Sequence, residues 1–170
     1  MPTESTASAK AEIELSRIFD APVEQVWQLW VKPELVMRWW GPDRFTCPSA
    51  EMDFREGGSS VVCMRAPKEF KGGGDTYSIW NYRQIKPYES IEFIQNLGTR
   101  EGKVLNPVDL GMPSDFPANV LTQVFFKSLP DGKTEMTIKE FGFTKSGMYE
   151  FAVMGLDQCL NKMQVALGKN

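Results

Sequence analysis

Histidine is absent from all 170 residues, and with it go the Ser-His-Asp and Cys-His nucleophilic arrangements and His-ligated zinc. Any catalysis here has to run on carboxylates, Tyr, Lys, Arg or Cys. Cysteine is scarce too. Cys47, Cys63 and Cys159 are odd in number, far apart and never in a C-x-x-C pair, which indicates neither a disulfide framework nor a metal knuckle and fits a reducing cytoplasm. No run approaches the ~18 apolar residues of a membrane span. The Ser/Thr/Ala-rich start, Met1 to Glu12, lacks the apolar stretch behind a basic start that a secretory signal requires. No charge sign dominates. The 19 Lys+Arg and 22 Asp+Glu leave a net charge of −3, which offers no global attraction for nucleic acid or an anionic membrane. No cofactor motif is present. Gly72-Gly73-Gly74 lacks the following Lys-Ser/Thr and the strand-to-helix setting of a phosphate cradle, and Lys68 and Lys71 beside it read as a solvated turn.

What the chain does have is apolar content, 42% of residues, enough for one compact domain to bury a core without metals or disulfides. Residues 1–10 read as a frayed tail and 11–170 as one domain. From Ile13 the pattern alternates, Ile13, Leu15 and Phe19 opposite Glu12, Glu14 and Ser16, as in a half-buried strand. Val23, Val26, Trp27, Trp30 and Val31 then form the stripe of an amphipathic helix entered through Asp20-Ala21-Pro22. Pro33 restarts a short helix bearing Leu35, Val36, Trp39 and Trp40, which Gly41-Pro42 cannot continue. Strand-like segments follow at about 44–54, 59–66, 76–86 and 89–97, joined by connections short enough for antiparallel neighbours. The Gly- and Pro-rich stretch 98–117 reads as an inserted loop or a lid. Segments 120–127 and 134–143 form a hairpin closed by Pro130-Asp131-Gly132-Lys133. Residues 146–168 are the longest periodic element, a helix with Ser146 as N-cap, Glu150 in its first turn and Gly168 as stop.

The order β, α, α, six strands and one long α predicts an α+β fold, a curved antiparallel sheet wrapped around the C-terminal helix. At 1.5 Å per residue that helix spans roughly 33 Å, comparable to the width of the sheet. Gly155, Cys159 and Ala166 stand on it where large side chains could have filled the centre. Two readings stay open for Gly155: a cavity between sheet and helix, or close approach to a strand or to a bulky partner such as Trp80.

A family resemblance rests on Arg17-Ile18-Phe19-Asp20-Ala21-Pro22, Val26-Trp27 and Arg38-Trp39-Trp40-Gly41-Pro42, continued by Asp53-Phe54-Arg55-Glu56-Gly57-Gly58, Met64-Arg65, Ile85 with Pro87, and Gly147-Met148. In this order, over about residues 12–168, the chain resembles the activator-of-heat-shock-ATPase homologues of the START-like (SRPBCC, helix-grip) superfamily. The resemblance implies a helix-grip fold. It also implies a range of activities, because the superfamily includes lipid carriers, aromatase/cyclase enzymes, self-sacrificing resistance proteins and co-chaperones. A heat-shock chaperone is thereby an implied partner, although the chain matches only the C-terminal module of the eukaryotic co-chaperone.

If a cavity exists, strand alternation and the helix stripe assign its lining to Trp30, Trp39, Met64, Trp80, Tyr82, Phe93, Phe126, Met136, Met148, Phe151, Gly155 and Cys159. The expected guest is a hydrophobic or aromatic small molecule. Ordinary core packing accounts for the same residues, since one indole buries about 150–250 Å². For catalysis the acidic candidates are Glu51 and Asp53, two apart on one strand face, and Glu140 on the Met136/Ile138 side of its strand, where burial would raise a carboxyl pKa. No nucleophile is identifiable, and solvated positions explain these carboxylates equally well. Edge pairing of the first strand with a second copy is the expected route to a homodimer.

Overall fold

The structure, a computed structural model, describes residues 10–70 and 72–168. The expected tail is covered only at Lys10, which opens strand β1 (Lys10–Phe19) instead of fraying; residues 1–9, and Lys71 of the expected solvated turn, lie outside the described residues. Along β1 the alternation holds: Ile13 and Phe19 are buried while Glu12, Glu14 and Ser16 are exposed. Pro22 stands at the N-cap of α1 (Val23–Val31), whose buried stripe is Val26, Trp27, Leu29 and Trp30. Pro33 occupies the first turn of α2 (Pro33–Trp39), where its missing N–H costs nothing. The chain leaves α2 through Gly41 at φ +109°, a conformation that favours glycine.

The strands β2 (Ala50–Glu51), β3 (Ser59–Ala66), β4 (Gly74–Lys86), β5 (Ser90–Gly98), β6 (Val120–Ser128) and β7 (Thr134–Thr144) complete one antiparallel sheet in the order β1-β7-β6-β5-β4-β3-β2. The predicted strand over 44–54 shrinks to Ala50–Glu51, paired with Val61–Val62, plus an isolated Thr46–Arg65 bridge. The reason is local: Arg44 takes φ +74°, and Pro48 has no N–H to give a ladder. The connection from β5 to β6 turns sharply at Gly98, where a Cβ would collide with the Lys103 carbonyl and the Ile79 side chain. It also carries a short 3-10 turn, Pro107–Leu110, capped by Asn106 Oδ1, which accepts from the Val108 N–H at 3.1 Å.

The last helix, α3 (Gly147–Leu167), lies across the concave face of the sheet. Ser146 holds the N-cap position, but its hydroxyl makes no cap bond and, among the described residues, is buried without a partner. Both flanks of the helix are tied down. On one side Arg17 of β1 donates to Asp157 Oδ1 at 2.8 Å and to Asn161 Oδ1 at 2.9 Å, and the Tyr149 hydroxyl donates to the Glu12 carbonyl at 3.2 Å. On the other, Lys162 Nζ donates to the Pro42 and Phe45 carbonyls, both at 2.9 Å. The buried residues of α3, Cys159, Leu160, Met163 and Ala166, all belong to its C-terminal half. Its N-terminal half is only partly covered, with Phe151 and Met154 exposed.

Candidate functional site

The aromatic residues of the expected lining converge, and they pack on one another. Trp80 stacks on Phe93 with ring centroids 5.1 Å apart and on Trp39 at 6.2 Å, while Trp30 meets Trp39 at 4.7 Å and Tyr82 meets Phe93 at 5.9 Å. Their polar atoms are mostly used inside the cluster. Trp30 Nε1 donates to Met136 Sδ at 3.3 Å, Trp39 Nε1 to the Leu29 carbonyl at 2.7 Å, and the Tyr82 hydroxyl shares a 2.8 Å bond with Ser60 Oγ. Phe126 joins through Trp27, 5.1 Å away. Between the sheet and α1–α2 this half of the interior is filled by the protein's own side chains.

Other assigned residues stand elsewhere. Phe151 is 59% exposed, turned away from the sheet, so its expected place in the lining is overturned; the apolar arc of α3 is wider than the strip that touches the sheet. Met148 and Met64 are half-buried, Met64 beside Gly41. Gly155 meets neither a strand nor Trp80: a Cβ there would sit 3.8 Å from Pro42 Cβ, so the small residue seats the turn that leaves α2. Cys159 is buried against the same turn, with the Gly41 N–H donating toward its sulfur, and burial pushes its thiol up to about 12. Cys47 is likewise pushed up by burial, to about 11, so neither thiol forms a nucleophile at neutral pH.

The carboxylates separate cleanly. Glu51 and Asp53 are both exposed; β2 ends at Glu51, so they do not share a strand face, and Asp53 Oδ1 accepts from Arg55 Nε at 2.9 Å. Glu140 does stand on the face carrying Met136 and Ile138, opposite Thr122 of β6 and Ile13 of β1. Among the described residues it has no hydrogen-bond or ion-pair partner, and burial alone pushes its carboxyl from 4.5 up to about 7.

Glu140 marks a seam. On one side lies the aromatic core; on the other a smaller cluster of Ile13, Val120 and Phe143, backed by Leu15, Tyr149, Ala152, Val153 and Leu156. An open groove of about 410 Å³ runs between β1 and the N-terminal half of α3, lined by Leu15, Tyr149, Val153 and Met154 with Glu150 and Asp157. A second hollow, about 130 Å³, lies beside Phe45 and Phe70 under the Arg44–Glu69 ion pair. The larger groove was not read from the sequence. The available signal was Leu15 on the inward face of β1 together with the apolar Val153 and Met154 of α3.

Two further polar atoms stay unused. Among the described residues the buried indole N–H groups of Trp40 and Trp80 have no acceptor; their rings are 5.3 Å apart and nearly perpendicular at 76°. Among the described residues no cluster of Cys, Asp and Glu could hold a metal ion, and no helix is long and apolar enough to cross a membrane.

The same architecture recurs in solved structures. A protein from Chromobacterium violaceum is 23% identical, with a TM-score of 0.74, 94% of this chain and 98% of that one covered. One from Staphylococcus epidermidis is 25% identical, with a TM-score of 0.69 and coverages of 94% and 91%. An AHSA1 protein from Silicibacter pomeroyi is 16% identical, with a TM-score of 0.72 and coverages of 93% and 98%. Among curated proteins, no sequence matches. The family model described as Activator of Hsp90 ATPase homolog 1-like protein matches residues 20–168, from the Asp20 turn through the end of α3. The residues that carried the resemblance in the sequence, the helix-grip sheet and this match agree: the chain belongs to the Activator of Hsp90 ATPase homolog 1-like family.

Proposed function

We propose that the protein binds a hydrophobic small molecule where β1 meets the N-terminal half of α3. The observation that carries this reading is the groove of about 410 Å³ lined by Leu15, Tyr149, Val153 and Met154. Its size falls in the range of small-molecule sites, and its wall is apolar with carboxylates at the rim. The N-terminal half of α3 carries no fully buried residue and packs on the sheet only through the partly buried Tyr149, Ala152, Val153 and Leu156, a lighter hold than that of the C-terminal half. The test is titration with the neutral dye Nile red, read by its fluorescence. One dye per chain is expected, and Val153→Glu should weaken binding about tenfold by placing a charge on the apolar wall. Binding unchanged by Val153→Glu contradicts the groove assignment.

A co-chaperone-like docking role is the second reading, favoured by the family description and by Phe151 and Met154 exposed on α3. Stimulation of a heat-shock chaperone ATPase that is lost in Phe151→Glu supports it; no stimulation by the unaltered protein removes it.

A further inference from the structure

The two edges of the sheet differ in kind. β2 is only two residues long, too short to template another strand. β1 runs for ten residues without proline, and among the described residues no strand pairs with its outer side. Its pairing with β7 shifts between Ala11 and Ile13, but the extra residue lies on β7, so the alternation of β1 itself is unbroken. Among the described residues one side chain bonds its backbone: the Tyr149 hydroxyl donates to the Glu12 carbonyl, which keeps a second lone pair. A long edge with free N–H and C=O groups is a template for a further strand.

The outward side chains determine which strand fits. Glu12, Glu14, Ser16 and Ile18 alternate on the face away from α3, with Lys10 before them and Asp20 just past the strand, all exposed. When two copies pair antiparallel about a two-fold axis, one residue of β1 sits on that axis. With Glu12, Ile13, Glu14, Ser16 or Arg17 there, an acid of one copy falls directly opposite an acid of the other, which is destabilising. Ile18 on the axis avoids this but leaves most of the strand unpaired. Leu15 on the axis pairs the whole strand with no like charges opposed: Glu14 meets Ser16, Glu12 meets Ile18, and Lys10 of each copy meets Asp20 of the other. We propose that β1 pairs with β1 of a second copy in this register, joining two seven-stranded sheets into one. The contact is self-complementary, as a two-fold dimer requires. On the inward face Leu15, the strand residue lining the groove beside α3, meets its own copy, so the two groove floors run together. The pairing stands whether or not the groove takes a guest.

Sedimentation velocity of the full chain over a concentration series tests this. A reversible dimer that weakens with added salt is expected. Lys10→Glu and Asp20→Lys should each weaken it about tenfold, because each sets like charges opposite one another twice, and the two together should restore it. Damage to the fold does not produce that recovery. Glu14→Cys mixed with Ser16→Cys should cross-link under mild oxidation where neither does alone, since only the mixture brings two thiols directly opposite; this decides the register if Asp20→Lys does not fold. A chain that stays monomeric at millimolar concentration overturns the proposal. So does a dimer that ignores both single swaps but is lost in Phe151→Glu, which places the contact on α3. Cross-linking of Glu14→Cys with itself overturns the register by putting residue 14 on the axis.

Discussion

Arg17 of β1 and Asp157 of α3 are joined by a 2.8 Å ion pair that crosses the open side of the helix-grip sheet and closes one end of the groove. The guanidinium also holds Asn161, so one side chain fixes the register of the helix against the edge strand. Asp157 is half exposed, and the pair therefore contributes more to position than to stability. Asp157→Asn should cost about 0.5–1 kcal/mol in chemical denaturation while raising amide exchange in the N-terminal half of α3. Exchange unchanged across residues 147–158 contradicts this role.

On the opposite flank Lys162 bonds two backbone carbonyls, those of Pro42 and Phe45. Replacing it with Met keeps the length of the side chain and leaves both carbonyls unpaired in a half-buried place. A loss of about 1–3 kcal/mol is expected from urea unfolding; a neutral result shows that water takes over both bonds.

Trp39 is fully buried, and its indole caps the Leu29 carbonyl at 2.7 Å. Trp39→Phe removes both the volume and the hydrogen bond and should destabilise by about 2–4 kcal/mol. Because Trp39 is far along the core from the Leu15–Val153 groove, Nile red affinity of the folded variant should stay within about twofold of the original. A large affinity loss places the dye in the aromatic core instead.

Glu140 makes stability depend on pH with a definite sign. Its ordinary value is 4.5 and burial raises it to about 7, so between those values the folded chain keeps a proton that the unfolded chain has released. Stability therefore falls as pH rises through this window, and above it the folded protein carries an unpaired carboxylate. Glu140→Gln should flatten the decline and stabilise the protein at pH 8 by about 1–2 kcal/mol, less than the full shift implies because the residue keeps some solvent contact. Equal pH profiles for the two proteins contradict this.

Much of the fold is legible in the sequence because its signals are local. Alternation in β3 and β6, Pro22 and Pro33 at helix starts, and the long stripe of α3 each fix an element without reference to the rest. The segment 44–54 misleads because apolar alternation cannot show that Arg44 is left-handed or that Pro48 breaks the ladder. The site was legible only in part. Periodicity brings Trp30, Trp39, Trp80 and Phe93 to one interior, but whether they enclose a space or fill it depends on rotamers and on how far the helix stands off the sheet. For the same reason Gly155 faces the Pro42 turn and Phe151 faces outward: which part of a wide apolar arc makes contact is decided by partners distant in the chain.

The most direct test of a guest site between β1 and α3 is methyl ¹H–¹³C spectroscopy during titration with Nile red. Saturable shifts at one dye per chain, confined to Leu15, Val153, Met154 and Leu156, are expected. Shifts that do not saturate, or that fall on Val104, Val108 and Leu110 of the β5–β6 connection instead, contradict the assignment.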